Sequence, residues 1–399
     1  MSDYRRINSC DICSSTKLIK VFGMRNFPLT GIYTSRGKRL KNFDNEFLIC
    51  KKCNHGQLRN QISPKYLYQE TYSHRTSKSP LAVSINHDFY SKLKKIIKNK
   101  RFNCIFEIGC NDLFLAKRIK RHAKKIVGTD PIFGEKLRTV DSKISVVGGF
   151  INDSKLIKIV DKITKKNKID LVVSSHTFEH VDTIKNSLKK VIEIVDEECL
   201  FVVETPSLDS ILRNGHFDQI FHQHQHYVSE RSIIELCNQL GLQFIEFKYN
   251  YQIWGGNVMY VFKKTKKKIS NKKYSKQLQK INIKNVKFKF DDFKKNCKKK
   301  ISYLKKQHKN IVAFGAAQMM PVLAYHSKSD FDFVKGLYDD NPNRIGKYLP
   351  YIKPVIQKTN GKIIKNSFVI ITANEMCRPI IKRLSEINPL RIITWYSDF

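Results

Sequence analysis

An α/β fold with two Rossmann-like units is predicted by three features of the sequence. From Asn103, short apolar runs alternate with amphipathic stretches: CIFEIGC, LFLAKRIKRHA, KIVGTD, IDLVVSS, IKNSLKKVIEIV and CLFVVETP. Apolar strands separated by helices of about a dozen residues mark a parallel, doubly wound sheet. A second alternation follows: NIVAFGAAQ, a helix through Pro321 to His326, FVKGLYDDNP, FVIITANE, PIIKRLSEI and RIITWYS. Its first strand also ends in a glycine turn, Gly315-Ala316-Ala317. In front of both alternations lie two C-x-x-C pairs within 44 residues.

These features divide the 399 residues into a four-cysteine module (1–65), a larger α/β unit (66–262), a basic helical linker (263–309) and a smaller α/β unit (310–399). A helical pattern through Ile85, Phe89, Tyr90, Leu93, Ile96 and Ile97 leads into the larger unit. In the linker, Leu278, Ile281, Val286, Phe288, Phe290, Phe293, Ile301 and Leu304 recur among the lysines, so part of it is expected to pack as a helix.

With 41% hydrophobic and 11% aromatic residues, the chain has ample material for packed cores. No apolar run approaches the roughly 18 residues of a membrane helix, and MSDYRRINSC lacks the apolar region of a secretory signal. A cytoplasmic monomer is the expectation. The 74 Lys plus Arg against 35 Asp plus Glu give a net charge of +39. Such a field attracts polyanions. The lysines, however, are spread along the chain amid Asn and Ile, as a coding bias toward A and T produces. No recognition helix or RNA-binding aromatic motif accompanies them, which argues against a nucleic-acid partner.

Cys10, Cys13, Cys50 and Cys53 form two knuckles, each presenting two sulfurs on one side, and together they supply the four ligands of a closed structural zinc site. The 36 residues between the knuckles exceed a minimal ribbon and require an inserted structure. His55 is an alternative ligand that the four cysteines make unnecessary, and a lone neighbouring histidine reads as surface.

Phe106-Glu107-Ile108-Gly109-Cys110-Asn111-Asp112-Leu113 ends a strand and opens a helix, the place of a nucleotide-like ligand at the carboxyl edge of a parallel sheet. Asp130, ending the next strand, is placed to accept from a ribose diol. Only the first glycine of a dinucleotide fingerprint is present. A single E-x-G with a downstream acid suits S-adenosylmethionine, which has no pyrophosphate needing a glycine-rich nest. Asp170 through His180 runs into a polar turn beside the same pocket.

At this point the chain resembles the sugar C-methyltransferases that act on nucleotide-linked ketodeoxysugars. The resemblance covers nearly the whole chain, through EIGCND (107–112), GTDP (128–131), HTFEHV (176–181), ETPSLDSIL (204–212), FDQIFHQHQHYVS (217–229), WGGN (254–257), GAA (315–317) and YDDNPNRIGKYLP (338–350). It implies a class I methyltransferase core behind a zinc module, with a carboxyl-terminal Rossmann-like unit tied to the substrate. It further implies Tyr72, Glu107, Gly109, Asn111, Asp130 and His176 near S-adenosylmethionine. Leu113 stands where the family has glycine.

Methylating carbon beside a ketone needs a base for an α-proton, a group to steady the enolate oxygen, and an in-line methyl. His222, His224 and His226 alternate, so an extended segment would set all three on one face, to supply a base, to hold a metal or to form a merely polar surface. The family motif at this point reads Y-H-E-H. Phe221 and Gln223 replace its tyrosine and glutamate, whereas His224 keeps the base. Glu204 and Asn257 face the same edge as substrate contacts, with Tyr227 of the histidine run. The acceptor expected is a small molecule, a nucleotide sugar. Oxygen methylation, a catalytically silent relative and a nucleic-acid-binding protein remain as alternatives.

Overall fold

The computed structural model describes residues 3–35, 40–67, 75–251, 256–267, 271, 274, 278, 280–307 and 310–396. The cysteine module holds strands β1 (Tyr4–Arg6), β2 (Leu18–Phe27), β3 (Phe43–Cys50), β4 (Gly56–Leu58) and β5 (Asn60–Ile62). Strands β2 and β3 form the long antiparallel hairpin that separates the two knuckles, β4 pairs with β3, and β5 pairs with β1. Phe43, Asn45 and Phe47 on β3 are buried in alternation with Asp44 and Glu46, which fixes this register by burial.

The helix Pro80–Ile97 leads into the larger unit. Ser79 caps it by accepting from Ala82 N at 3.3 Å, Pro80 occupies its first turn, and Phe89, Leu93 and Ile97 turn to the core. Strands β6 (Phe102–Ile108), β7 (Ala123–Asp130), β8 (Leu137–Thr139), β9 (Ile144–Gly148), β10 (Ile169–Ser175), β11 (Val195–Pro206), β12 (His226–Tyr227), β13 (Leu242–Asn250) and β14 (Asn257–Lys264) follow. All but β12 join an eight-stranded sheet of order β13-β14-β11-β10-β6-β7-β9-β8. Its five inner strands from β11 to β9 are parallel, β14 and β8 run antiparallel to them, and the edge strand β13, antiparallel to β14, runs in their direction. Phe106, Val172 and Phe201 enter one core, and Ile105, Leu171 and Val202 enter the core on the opposite face. Burial on both faces explains why these strands read as continuous apolar runs.

Strand β12 leaves this sheet and extends that of the cysteine module, in the order β12-β4-β3-β2, with His226 opposite Gln57 and Tyr227 opposite Gly56. The carboxyl-terminal unit has five parallel strands, β15 (Ile311–Phe314), β16 (Leu337–Asp339), β17 (Ile356–Lys358), β18 (Phe368–Ile371) and β19 (Arg391–Ile393), ordered β17-β16-β15-β18-β19. The basic linker contains the helix Ile283–Lys305, which buries Val286, Phe290, Phe293, Cys297, Ile301 and Leu304. Phe288 departs from expectation: it is 71% exposed, because it falls on the solvent side of the stripe that its neighbours define. Phe290 stacks on Phe22 of the module, with ring centroids 3.6 Å apart. One core therefore runs through the module, the histidine segment, the linker helix and the carboxyl-terminal unit.

No helix among the described residues is long and apolar enough to cross a membrane.

Candidate active site

The four cysteine sulfurs lie within 4.8 Å of one another and all four residues are buried. Sγ atoms of Cys10 and Cys53, and of Cys13 and Cys50, are each 3.5 Å apart. The edge of a tetrahedron with Zn–S bonds near 2.3 Å is ~3.8 Å, so the quartet fits one such ion. Both knuckles close alike. Ser14 N donates to Cys10 O and Asn54 N to Cys50 O, each at 2.9 Å, and Ser14 and Asn54 take φ of 57° and 62°. Close packing of the thiols raises the pKa of Cys10 and Cys53. A bound cation reverses that preference.

His55 is buried rather than at the surface, with its Nε2 3.1 Å from His226 Nδ1. The second knuckle is thus in direct contact with the histidine run.

A cavity of about 780 Å³ gathers the other elements, within the roughly 300–1,000 Å³ usual for small-molecule sites. Gly109 and Asn111 from the loop after β6 line it, as does Asp130 at the end of β7. Asp130 is fixed by two backbone donors, Asn111 N at 2.9 Å and Ile132 N at 3.0 Å. Burial raises its pKa, against those two hydrogen bonds. Gly109 has φ of 77°, and a Cβ there would lie 1.9 Å from Thr177 Oγ1. Leu113 keeps the left-handed conformation that glycine would favour, at φ 66° and ψ 23°, and is held there by burial of its side chain.

The turn after β10 contributes His176, Glu179 and His180 to the same cavity. His176 Nδ1 is 3.2 Å from Glu179 Oε1, and Asn257 Nδ2 is 2.9 Å from His176 Nε2. Burial alone would raise the Glu179 pKa, but pairing with His176 and proximity to His180 and His224 bring it down to about 2. Burial likewise opposes the charged form of His176, and Glu179 overcomes it to raise that pKa.

The histidine run is not extended. Phe221 to His224 form a turn closed by His224 N donating to Phe221 O at 3.0 Å, so the expectation of one shared face is corrected. His222 enters the module core, accepting from Asn45 Nδ2 at 3.1 Å and donating to Phe27 O at 3.2 Å. His226 turns to His55. Only His224 lines the cavity, so the three alternating histidines do not converge on one metal. Its ring lies 4.9 Å from that of His180 and 4.1 Å from that of Phe221. Burial, then His180, lowers its pKa to about 3 against the opposing pull of Glu179.

Gln223 also lines the cavity, together with Gln318 and Glu375 from the loops after β15 and β18. Phe221, His222, His226, Tyr227, Glu107 and Glu204 do not. The Tyr227 hydroxyl is turned inward, accepting from Phe221 N at 3.1 Å. Burial raises Glu107 well above the carboxylate range and Glu204 to about 7. Tyr72 and the Trp254-Gly255 part of WGGN lie outside the described residues.

Residues 83–246 match the family model of a methyltransferase domain, and residues 253–391 match that of a C-methyltransferase C-terminal domain. The chain thus joins a methyltransferase domain to a C-methyltransferase C-terminal domain. C-methyltransferase NovU of Streptomyces niveus is 24% identical to this chain over 262 residues, 64% of the chain and 60% of that relative. The match therefore spans about 60% of the relative's length. Among solved structures, N-methyltransferase NodS of Bradyrhizobium japonicum, in complex with S-adenosyl-L-homocysteine, aligns at 12% identity and a TM-score of 0.33, covering 47% of this chain and 89% of NodS. An S-adenosylmethionine-dependent methyltransferase of Mesorhizobium loti aligns at 10% identity and a TM-score of 0.33, covering 44% and 97%.

Glu179, His180, Gln318 and Glu375 were not singled out as site residues from the sequence. HTFEHV carried a signal for the first two. Nothing in the sequence pointed to Gln318 or Glu375, which reach the cavity only through the packing of the carboxyl-terminal unit.

Proposed function

We propose that this chain transfers the methyl group of S-adenosylmethionine to a carbon of a nucleotide-linked ketodeoxysugar, with His224 as base. The shared cavity carries this reading: one space is lined by the loop after β6, by Asp130 and by the Glu179, His180 and His224 group. Bound there, S-adenosylmethionine supplies an electrophilic methyl. Asp130 accepts from its ribose hydroxyls, and Ile132, Phe150 and Ile151 offer an apolar wall for the adenine.

At the acceptor end, His224 takes the α-proton. Burial keeps it neutral with its lone pair free, and the ionised Glu179 offsets part of the cost that burial places on the imidazolium. Glu179 thereby fills the role that Gln223, lacking a charge, cannot. Gln219 Nε2, Gln225 Oε1 and Glu375 Oε2 are buried atoms without hydrogen-bond partners on cavity-lining residues. Such a mixture of donors and acceptors suits a hydroxylated ring. The match to NovU, a C-methyltransferase, supports transfer to carbon. The cysteine quartet holds structural zinc, because four thiolates leave no open coordination position.

Mass spectrometry of nucleotide-linked ketodeoxysugars incubated with the protein and methyl-labelled S-adenosylmethionine tests this. Label is expected on the sugar, falling at least ~100-fold in His224→Ala. Unlabelled sugar from protein that binds S-adenosylhomocysteine rejects the acceptor, and full labelling by His224→Ala rejects the base.

A further inference from the structure

We infer that Glu179, His180 and His224 form a second divalent-metal site, separate from the cysteine quartet, which takes a first-row transition ion such as zinc and, once filled, withdraws His224 from proton transfer. Only the second half of this inference rests on the reading of His224 as base. Among the described residues, two groups of three or more His, Cys, Asp or Glu donors converge: the cysteines and this trio.

Its ligand atoms lie within 4.8 Å of one another. Bonds of about 2.0–2.2 Å from two imidazoles and a carboxylate to one ion draw ligand atoms to ~3–3.5 Å, so the trio closes further when it binds. Two histidines and one carboxylate, with the cavity left for further ligands, are a donor set suited to zinc, cobalt, nickel or iron rather than to magnesium or calcium.

The surroundings supply the second observation. A metal-binding histidine orients one ring nitrogen by donating from the other, and a ligating carboxylate is itself hydrogen-bonded. His180 Nδ1 donates to Gln223 O at 2.9 Å, leaving Nε2 for an ion. Thr205 Oγ1 donates to Glu179 Oε2 at 3.1 Å. His224 Nδ1 is buried without a hydrogen-bond partner, on a side chain only 9% exposed. The competitor for Glu179 is His176, whose Nδ1 stands 3.2 Å from Glu179 Oε1 and must yield when an ion binds. A metal on His224 occupies the lone pair that would take the α-proton, so metal and proton transfer exclude each other.

Cobalt(II) titrated into the full chain, with zinc already in the cysteine site, tests the inference. One further cobalt per chain is expected, with the weak visible d–d band of nitrogen and oxygen ligation and no thiolate charge-transfer band. His180→Ala and Glu179→Gln should abolish that uptake while retaining one zinc per chain. Thr205→Val should weaken it ~10–100-fold, as loss of a supporting contact does. Zinc at saturating occupancy should stop methyl labelling of the sugar. No cobalt beyond the cysteine site, or unchanged uptake by both ligand variants, overturns the site. Labelling that persists with the site filled overturns the exclusion. Absence of labelling by protein with zinc in the cysteine site and the second site empty counts against the proposed reaction and leaves the cobalt result standing by itself.

Discussion

Gln318 Nε2 donates to Gln223 Oε1 at 2.8 Å, while Gln223 Nε2 donates to Thr30 O at 3.2 Å. One buried amide therefore ties the carboxyl-terminal unit to the cysteine module through the middle of the histidine turn. The amide also faces Leu67 O at 3.4 Å.

Restoring the family's carboxylate at this position should cost stability. In Gln223→Glu, one oxygen still accepts from Gln318, but the other meets the carbonyls of Thr30 and Leu67 with no donor between them. Chemical denaturation is expected to show a loss of about 1–3 kcal/mol. Equal or higher stability would show that the turn rearranges.

Removal of the ion should reach the histidine run. Strand β12 hangs on β4, which begins three residues beyond Cys53, and His226 contacts His55. Cys50→Ser is expected to lower zinc content from one per chain to none and to speed amide exchange at His226 and Tyr227. Unchanged exchange there would separate the module from the site.

Gly109→Ala combines a left-handed backbone with a Cβ driven into Thr177. At ~1–3 kcal/mol of backbone strain alone, calorimetry should find S-adenosylhomocysteine bound at least about tenfold more weakly. Wild-type affinity would show that this loop does not hold the cofactor.

Acid should destabilise the fold through buried histidines. Burial lowers His222 to about 4 and His224 and His326 to about 3, from an ordinary value of 6.5. As pH falls the unfolded chain binds protons first. Stability is therefore intact above 6.5 and lost progressively down to about 3 to 4, by ~1.4 kcal/mol per pH unit for each histidine. Melting curves across this window check the slope. His326→Phe, set among Phe290, Phe293 and Tyr325, should reduce it by one proton.

Much of the architecture was legible because burial writes itself into pattern. Phe106, Val172 and Phe201 sit in continuous apolar runs, and the C-x-x-C spacing announces its own geometry. The histidine run was misleading for an equally physical reason. Alternation has period two whether the chain is extended or folded into a turn with hydrogen-bonded ends, and the turn from Phe221 to His224 sends its histidines into different surroundings. The convergence of Gln223, Gln318 and Glu375 depends on how separate sheets dock, which no local spacing records. Leu113 shows the converse case, a non-glycine residue kept in a left-handed conformation by the packing of its own side chain.

Transfer to carbon is tested most directly by carbon-13 NMR of the product formed from methyl-labelled S-adenosylmethionine and a nucleotide-linked ketodeoxysugar. The labelled signal is predicted in the region of a methyl group bonded to carbon, and it should be lost in His224→Ala. A labelled signal in the methoxy region would show transfer to oxygen and contradict the account.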